Sequence, residues 1–116
     1  MTAILHEAAL RMGFGGPETT KAQLLHLVAM SERPELTIVV MSFGGGAFPG
    51  SGQPIVYASG DVPQLDTVQL DTDHGVEFLD AEAQLSRYRS VLDRMESCVL
   101  PPLESRNFIH GLASDL

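Results

Sequence analysis

Two polar side chains stand in strand patterns that carry apolar faces: Tyr57 in PIVYAS (54–59), apolar on both faces, and Gln69 in TVQLDT (67–72), which alternates with Val68 and Leu70 on its apolar face. A phenol offers a ring wall and one hydroxyl, and an amide donates to a carbonyl without needing a particular pH. Such groups suit holding and polarising a substrate more than removing a proton from it. Met41, Phe43 and Phe48 supply soft and aromatic surface upstream, and Asp71 follows Gln69 at the same strand parity. On this reading Tyr57 and Gln69 are the candidate catalytic residues. Met41, Phe43, Phe48 and Asp71 are the candidate substrate-binding residues of a mainly apolar pocket on a sheet face. Parity places Met41 with Phe43 and Gln69 with Asp71, and it leaves open whether those two faces coincide.

The other chemical constellations fail on spacing. DTDHG puts Asp71, Asp73 and Glu82 at positions 1, 3 and 12 of a calcium loop, but Gly75 stands at position 5 and Val76 where glycine is required. A hairpin turn explains the same residues. His6, His26, His74 and His110 are scattered, with no H-x-x-x-H pair and no cysteine at ligand spacing. Ser51 lies in PGSGQ, which is not a nucleophile elbow. Cys98 falls on an apolar helical stripe, where a thiol is usually an inert filler. Neither a metal nor a cofactor is expected.

The glycine-rich run SFGGGAFPGSGQP, Ser42 to Pro54, joins one strand to another. A phosphate loop needs a helix N-terminus after the glycines, and none starts here. The run reads as a long hairpin connection, with Phe43 and Phe48 placed to roof the pocket. Long loops often line sites.

These residues must be positioned by a small set of elements. Gly16 and Pro17 open a helix carrying Leu24, Leu27 and Val28 at helical spacing, and Pro34 stops it. Strand patterns follow at 35–43, 54–59, 67–72 and 76–80. Asp80 is a plausible N-cap for a helix whose face carries Leu85, Tyr88, Val91, Met95 and Cys98, and a last short helix follows Pro101 and Pro102. Strands then helices imply α+β: an antiparallel meander of three to four strands with three helices mainly on one face. TIVVMSF and PIVYAS are apolar on both faces, the pattern of strands covered on both sides. The cover is another subunit, an apolar ligand, or the N-terminal segment folded over. A homo-oligomer with contacts through strands 36–43 and 54–59 is expected.

With 116 residues and 44% apolar composition, a single domain spanning 1–116 is expected. A net charge of -8 with Lys21 as the one lysine argues against nucleic acid and anionic membrane. No basic start precedes TAILHEAALR, and no segment approaches the roughly 20 apolar residues of a membrane span. With one cysteine, a cytoplasmic setting is expected.

HEAALRMGFGGPE, KAQLLHLVAMSERPELTIVVMSF, GGGAFPG and AQLSRYRSVLDRMESCVLPPLESRNFI, in this order and spacing, resemble the later part of an actinobacterial domain of unknown function. That domain usually follows an Xre-type helix-turn-helix in antitoxin-like regulators. Glu7, Leu10, Gly15, Gly16, Gln23, Phe43, Gly46, Pro49, Gly50, Arg87 and Ser105 stand where the pattern expects such residues. A chain without the DNA-binding head is expected from this match; Phe48 stands where the usual His precedes Pro-Gly, and Gln69, Leu70 and Asp71 stand in place of a usual Tyr-Val-Glu.

Two functions follow as expectations. The first is a small stand-alone cyclase of a natural-product pathway, closing a polyene- or polyketide-type intermediate by orientation and a few hydrogen bonds. The second is a headless antitoxin-like module that binds a partner protein. The departures at exposed strand and loop positions favour the cyclase.

Overall fold

A computed structural model describes residues 1–13, 15–45 and 54–116. The described elements run β1 (Thr2–His6), α1 (Glu7–Arg11), α2 (Gly16–Ser31), β2 (Thr37–Met41), β3 (Ile55–Ala58), β4 (Thr67–Thr72), β5 (Gly75–Leu79), α3 (Glu82–Glu96) and α4 (Pro102–Ser114). Single 3₁₀ turns stand at Phe43–Gly45 and Pro63–Leu65. The fold class is α+β. Most of the glycine-rich run, Phe48 included, lies outside the described residues. The chain forms two compact units, one from residues 1–46 and 98–116 and one from residues 47–97.

The first unit is a β–α–β arrangement closed by α4. β1 and β2 pair in parallel, from Thr2 opposite Thr37 to His6 opposite Met41. Parallel neighbours need a crossover, and α1 with α2 supplies it. The antiparallel meander is present with three strands, within the three to four expected, but the strand expected at 35–43 is not one of them; Thr37–Met41 belongs to the parallel pair instead. The two-sided apolar pattern of β2 has its reason here, because Ile38, Val39, Val40 and Met41 are all buried within the chain. Ile38 and Val40 pack with Leu10, Leu24, Ile109 and Ala113. Two glycines set the entry to α2: Gly15 and Gly16 hold φ of +82° and +89°, where a β-carbon is strained.

Polar groups lock α4 onto this core. The Val40 N–H donates to Ser105 Oγ at 2.9 Å, and that hydroxyl donates to the Leu100 carbonyl at 3.0 Å. The Leu100 N–H in turn donates to the Val40 carbonyl at 2.9 Å. The outer backbone groups of Val40 are thus satisfied by the chain entering α4. Arg106 donates to the Ser31 hydroxyl and carbonyl, both at 2.9 Å, at the C-terminal end of α2, where carbonyls lack helical partners.

The second unit is the antiparallel sheet β3–β4–β5 with α3 against it. Ile55, Tyr57, Val68, Leu70 and Leu79 lie on the inner side and pack with Leu85 and Tyr88 of α3. DTDHG is the β4–β5 hairpin: Thr72 pairs with Gly75, and Thr72 Oγ1 accepts from the His74 N–H at 3.3 Å. Gly75 takes φ of +128° there. α3 is capped one residue later than expected, by Ala81 and not Asp80, and without a side-chain bond. Its first backbone bond, Leu85 N–H to the Ala81 carbonyl at 2.9 Å, fixes that start. Among the described residues no helix is long and apolar enough to cross a membrane.

Candidate functional site

The β3–β4 register decides the relation between Tyr57 and Gln69. Tyr57 stands opposite Val68, and Gln69 stands opposite Val56. Directly opposed residues share a face and successive residues alternate, so Tyr57 points to the inner side with Val68 while Gln69 points outward. The two candidate catalytic residues are on opposite faces of the sheet.

On the inner side the Tyr57 hydroxyl is engaged twice. It donates to Asp66 Oδ2 at 2.8 Å and accepts from Arg89 Nη1 at 3.1 Å. Arg89 also donates to Glu82 through Nη2. The bonds to Tyr57 and then to Glu82 strengthen its hold on its proton. Asp66 is buried, and among the described residues its Oδ1 has no hydrogen-bond partner. A phenol held from both sides is a structural strut between β3, the Asp66 turn and α3.

On the outer side Gln69 Nε2 donates to Asp71 Oδ1 at 3.3 Å. Gln69 stands opposite Val56 on one side and Phe78 on the other, and Asp71 stands opposite Val76. Val56 is 52% exposed, Val76 55% and Phe78 67%. The face is open and apolar, with one amide and one carboxylate in its centre.

Two of the remaining expected site residues belong to the first unit. Met41 is buried in β2 of the first unit. Phe43 is exposed on the 3₁₀ turn of that unit, its ring edge-on to His6 with centroids 5.5 Å apart. Phe48 lies outside the described residues. Of the six expected residues, the structure brings together Gln69 and Asp71. Val56, Val76 and Phe78 on one side of the sheet, and Asp66 and Arg89 on the other, were missed. The alternation in VEFLD carried the signal for Val76 and Phe78. For Asp66 and Arg89 no local signal exists, because their partners come from other elements.

A second polar cluster surrounds Glu7 at the start of α1. Its Oε1 accepts from the Phe43 N–H at 2.9 Å and its Oε2 from Arg11 Nε at 2.6 Å. Nearby, Leu10 and Leu24 floor an open groove of about 340 Å³, with Arg11 and Asp115 in its wall. Among the described residues no three His, Cys, Asp or Glu side chains converge on a metal position.

A family model described as a domain of unknown function (DUF5753) matches residues 1–111. The chain belongs to this family. No curated protein and no solved structure matches it. In this DUF5753 chain, many residues that carry the family resemblance hold the fold. Glu7 anchors the Phe43 turn, Leu10 is buried, Gly15 and Gly16 take the left-handed backbone, and Ser105 satisfies β2.

The Glu7 cluster carries a pH dependence. The Phe43 amide first, and the Arg11 hydrogen bond second, hold its carboxyl below the usual range. A group depressed in the folded state stabilises above its ordinary value, about 4.3 for glutamate, and that contribution disappears as pH falls through its lower folded value. Glu7→Gln is therefore expected to melt at a lower temperature than wild type near neutrality, with the difference closing in acid. Thermal melts stepped from neutral to acidic pH check this. A difference that stays constant below the carboxylate range contradicts it.

Proposed function

We propose that this chain is a polypeptide-binding module whose docking surface is the outer face of β3–β4–β5. The exposure of Val76 and Phe78 as neighbours on one sheet face, with Val56 across Gln69 on the same face, supports this most directly. Contiguous exposed apolar surface, as opposed to scattered single residues, marks interaction sites. The family resemblance points the same way, since such domains accompany regulators and an interaction role needs no catalytic constellation. The cyclase expected from the sequence is weakened by the geometry. Its two polar groups are on opposite faces, and an open face does not enclose a flexible intermediate in a reactive geometry.

Phe78→Asp tests the docking surface. The ring is exposed, so the substitution is expected to change stability by no more than about 1 kcal/mol. Immobilised wild-type chain is expected to retain a defined polypeptide from a lysate of its source cell in near-stoichiometric amount. Phe78→Asp is expected to lose it, and Leu25→Asp, an exposed position on α2, to keep it. Retention unaffected by Phe78→Asp overturns the surface assignment.

A further inference from the structure

The chemistry of the partner follows from the edge and the charge of the same sheet, so this inference rests on the docking reading above. β5 is an edge strand, and Gly75, Val76, Glu77 and Phe78 are all exposed. Among the described residues no strand pairs with its outer edge, and Leu79 alone of its residues is half-buried, whereas β3, at the other edge, is half-buried at every second residue. Proteins protect such edges with lysine, proline, bulges or a charge turned inward. GVEFL has no lysine and no proline. Its protection is Glu77, which stands opposite Leu70 and therefore on the inner side of the pleat.

Apart from Arg87 and Arg89 on α3, the latter engaged by Tyr57 and Glu82, the charge around β5 has one sign. No lysine or arginine occurs from Pro34 to Ser86, while Asp71, Asp73, Glu77 and Asp80 are all exposed on or beside the strand. Two occupants fit an open edge: a second copy of this chain or a segment of another protein. A second copy brings the same acidic hairpin. If its Phe78 met Val76 on the outer face, Glu77 would stand opposite Glu77, and directly opposed like charges destabilise a strand pair.

We propose that β5 receives an extended, basic segment of another protein as a fourth strand. Its apolar side chains continue the row of Val76 and Phe78 on the outer face. Its lysines or arginines alternate with them and meet Glu77 on the inner side, with flanking cations near Asp73 and Asp80. Main-chain hydrogen bonds to the edge supply affinity, and the alternation supplies selectivity. The acidic guard that disfavours self-pairing is the group that selects this partner.

The probe is a short capped peptide of alternating valine and lysine, compared with the same peptide carrying glutamate for lysine. Each is titrated into the isotopically labelled full chain. The lysine peptide is expected to shift the amide resonances of Gly75–Leu79 and slow hydrogen exchange along β5, and the glutamate peptide to do neither. Glu77→Gln should weaken the lysine peptide about two- to fivefold, as an exposed ion pair does, and added salt should weaken it further. Phe78→Asp should reduce binding by at least about tenfold, as expected for loss of a central aromatic anchor. Equal binding of the two peptides, shifts centred away from β5, or no binding overturns the basic strand. Sedimentation showing a dimer that Phe78→Asp dissolves overturns it in favour of the second copy. Should the lysine peptide fail while Phe78-dependent retention of a cellular polypeptide persists, only the partner's chemistry is rejected; failure of both rejects the docking surface.

Discussion

Ile109→Ala is expected to cost about 2–5 kcal/mol of folding stability, the range for truncating a fully buried aliphatic side chain. Ile109 has no solvent exposure and sits with Leu10, Leu24, Ile38, Val40 and Ala113 where α4 meets β2. β2 takes its cover from this helix, so the cavity opens beneath a strand that, among the described residues, pairs with β1 alone. Its outer edge is instead held by Ser105 and Leu100, at the entry to the same helix. Collapse around the cavity would pull on those bonds, which favours the upper part of the range. Small domains hold only about 5–15 kcal/mol in total, so the variant loses a large fraction of its margin. Ile109→Val, which removes one methylene, should cost about 0.5–1.5 kcal/mol. Urea titration followed by far-ultraviolet circular dichroism checks both. Equal losses for the two variants would show that cavity volume is not what sets the cost.

The parts of this fold that were legible in the sequence are those set by local periodicity. TVQLDT alternates, and its Val68 and Leu70 are buried while Asp71 is exposed. The stripe of Leu85, Val91 and Met95 at helical spacing is the buried side of α3. Gly16 and Pro17 mark the start of α2 because one relaxes the backbone and the other fixes it. What was not legible depends on residues far apart in the chain. TAILH is too short to announce itself as a strand, and its partner lies some thirty residues away across two helices. The two-sided apolar pattern of TIVVM was itself the signature of a parallel strand. Read as surface awaiting a cover, it pointed to another subunit or a ligand, whereas Ile38 to Met41 are buried within the chain itself.

The site failed for a related reason. Whether Tyr57 and Gln69 share a face depends on the register across the connection from Ala58 to Thr67, and a slip of one residue reverses every side chain. That connection contains the 3₁₀ turn Pro63–Leu65, whose residue count no alternation pattern reveals. Asp66 ends the turn, buried, with its N–H donating to the Pro63 carbonyl at 3.2 Å. Strand, turn and helix meet there at the Tyr57 hydroxyl. The residue that looked most like a catalytic group from sequence thus holds the sheet to its own turn.

Tyr57→Phe is accordingly expected to act on stability. The substitution keeps the ring and removes the donor to Asp66 Oδ2, leaving a carboxylate whose other oxygen is already buried without a partner. Stranding a buried polar group costs about 1–3 kcal/mol, and more when it is charged. Arg89 loses an acceptor by the same change. Replacing both members by apolar groups of similar shape is far less costly than removing one, because no unsatisfied group remains. Tyr57→Phe combined with Asp66→Leu should therefore be more stable than the sum of the single losses predicts, with a coupling of about 0.5–3 kcal/mol. A double-mutant cycle by urea unfolding measures this directly. A role for the hydroxyl in chemistry, with no structural part, would leave the stability of Tyr57→Phe unchanged and the cycle additive. Strict additivity would thus remove Tyr57 from the framework and return it to the list of groups available to a ligand. A positive coupling fixes it as the strut joining β3 to α3 and leaves the outer face, with Gln69, Val76 and Phe78, as the surface proposed to meet a partner.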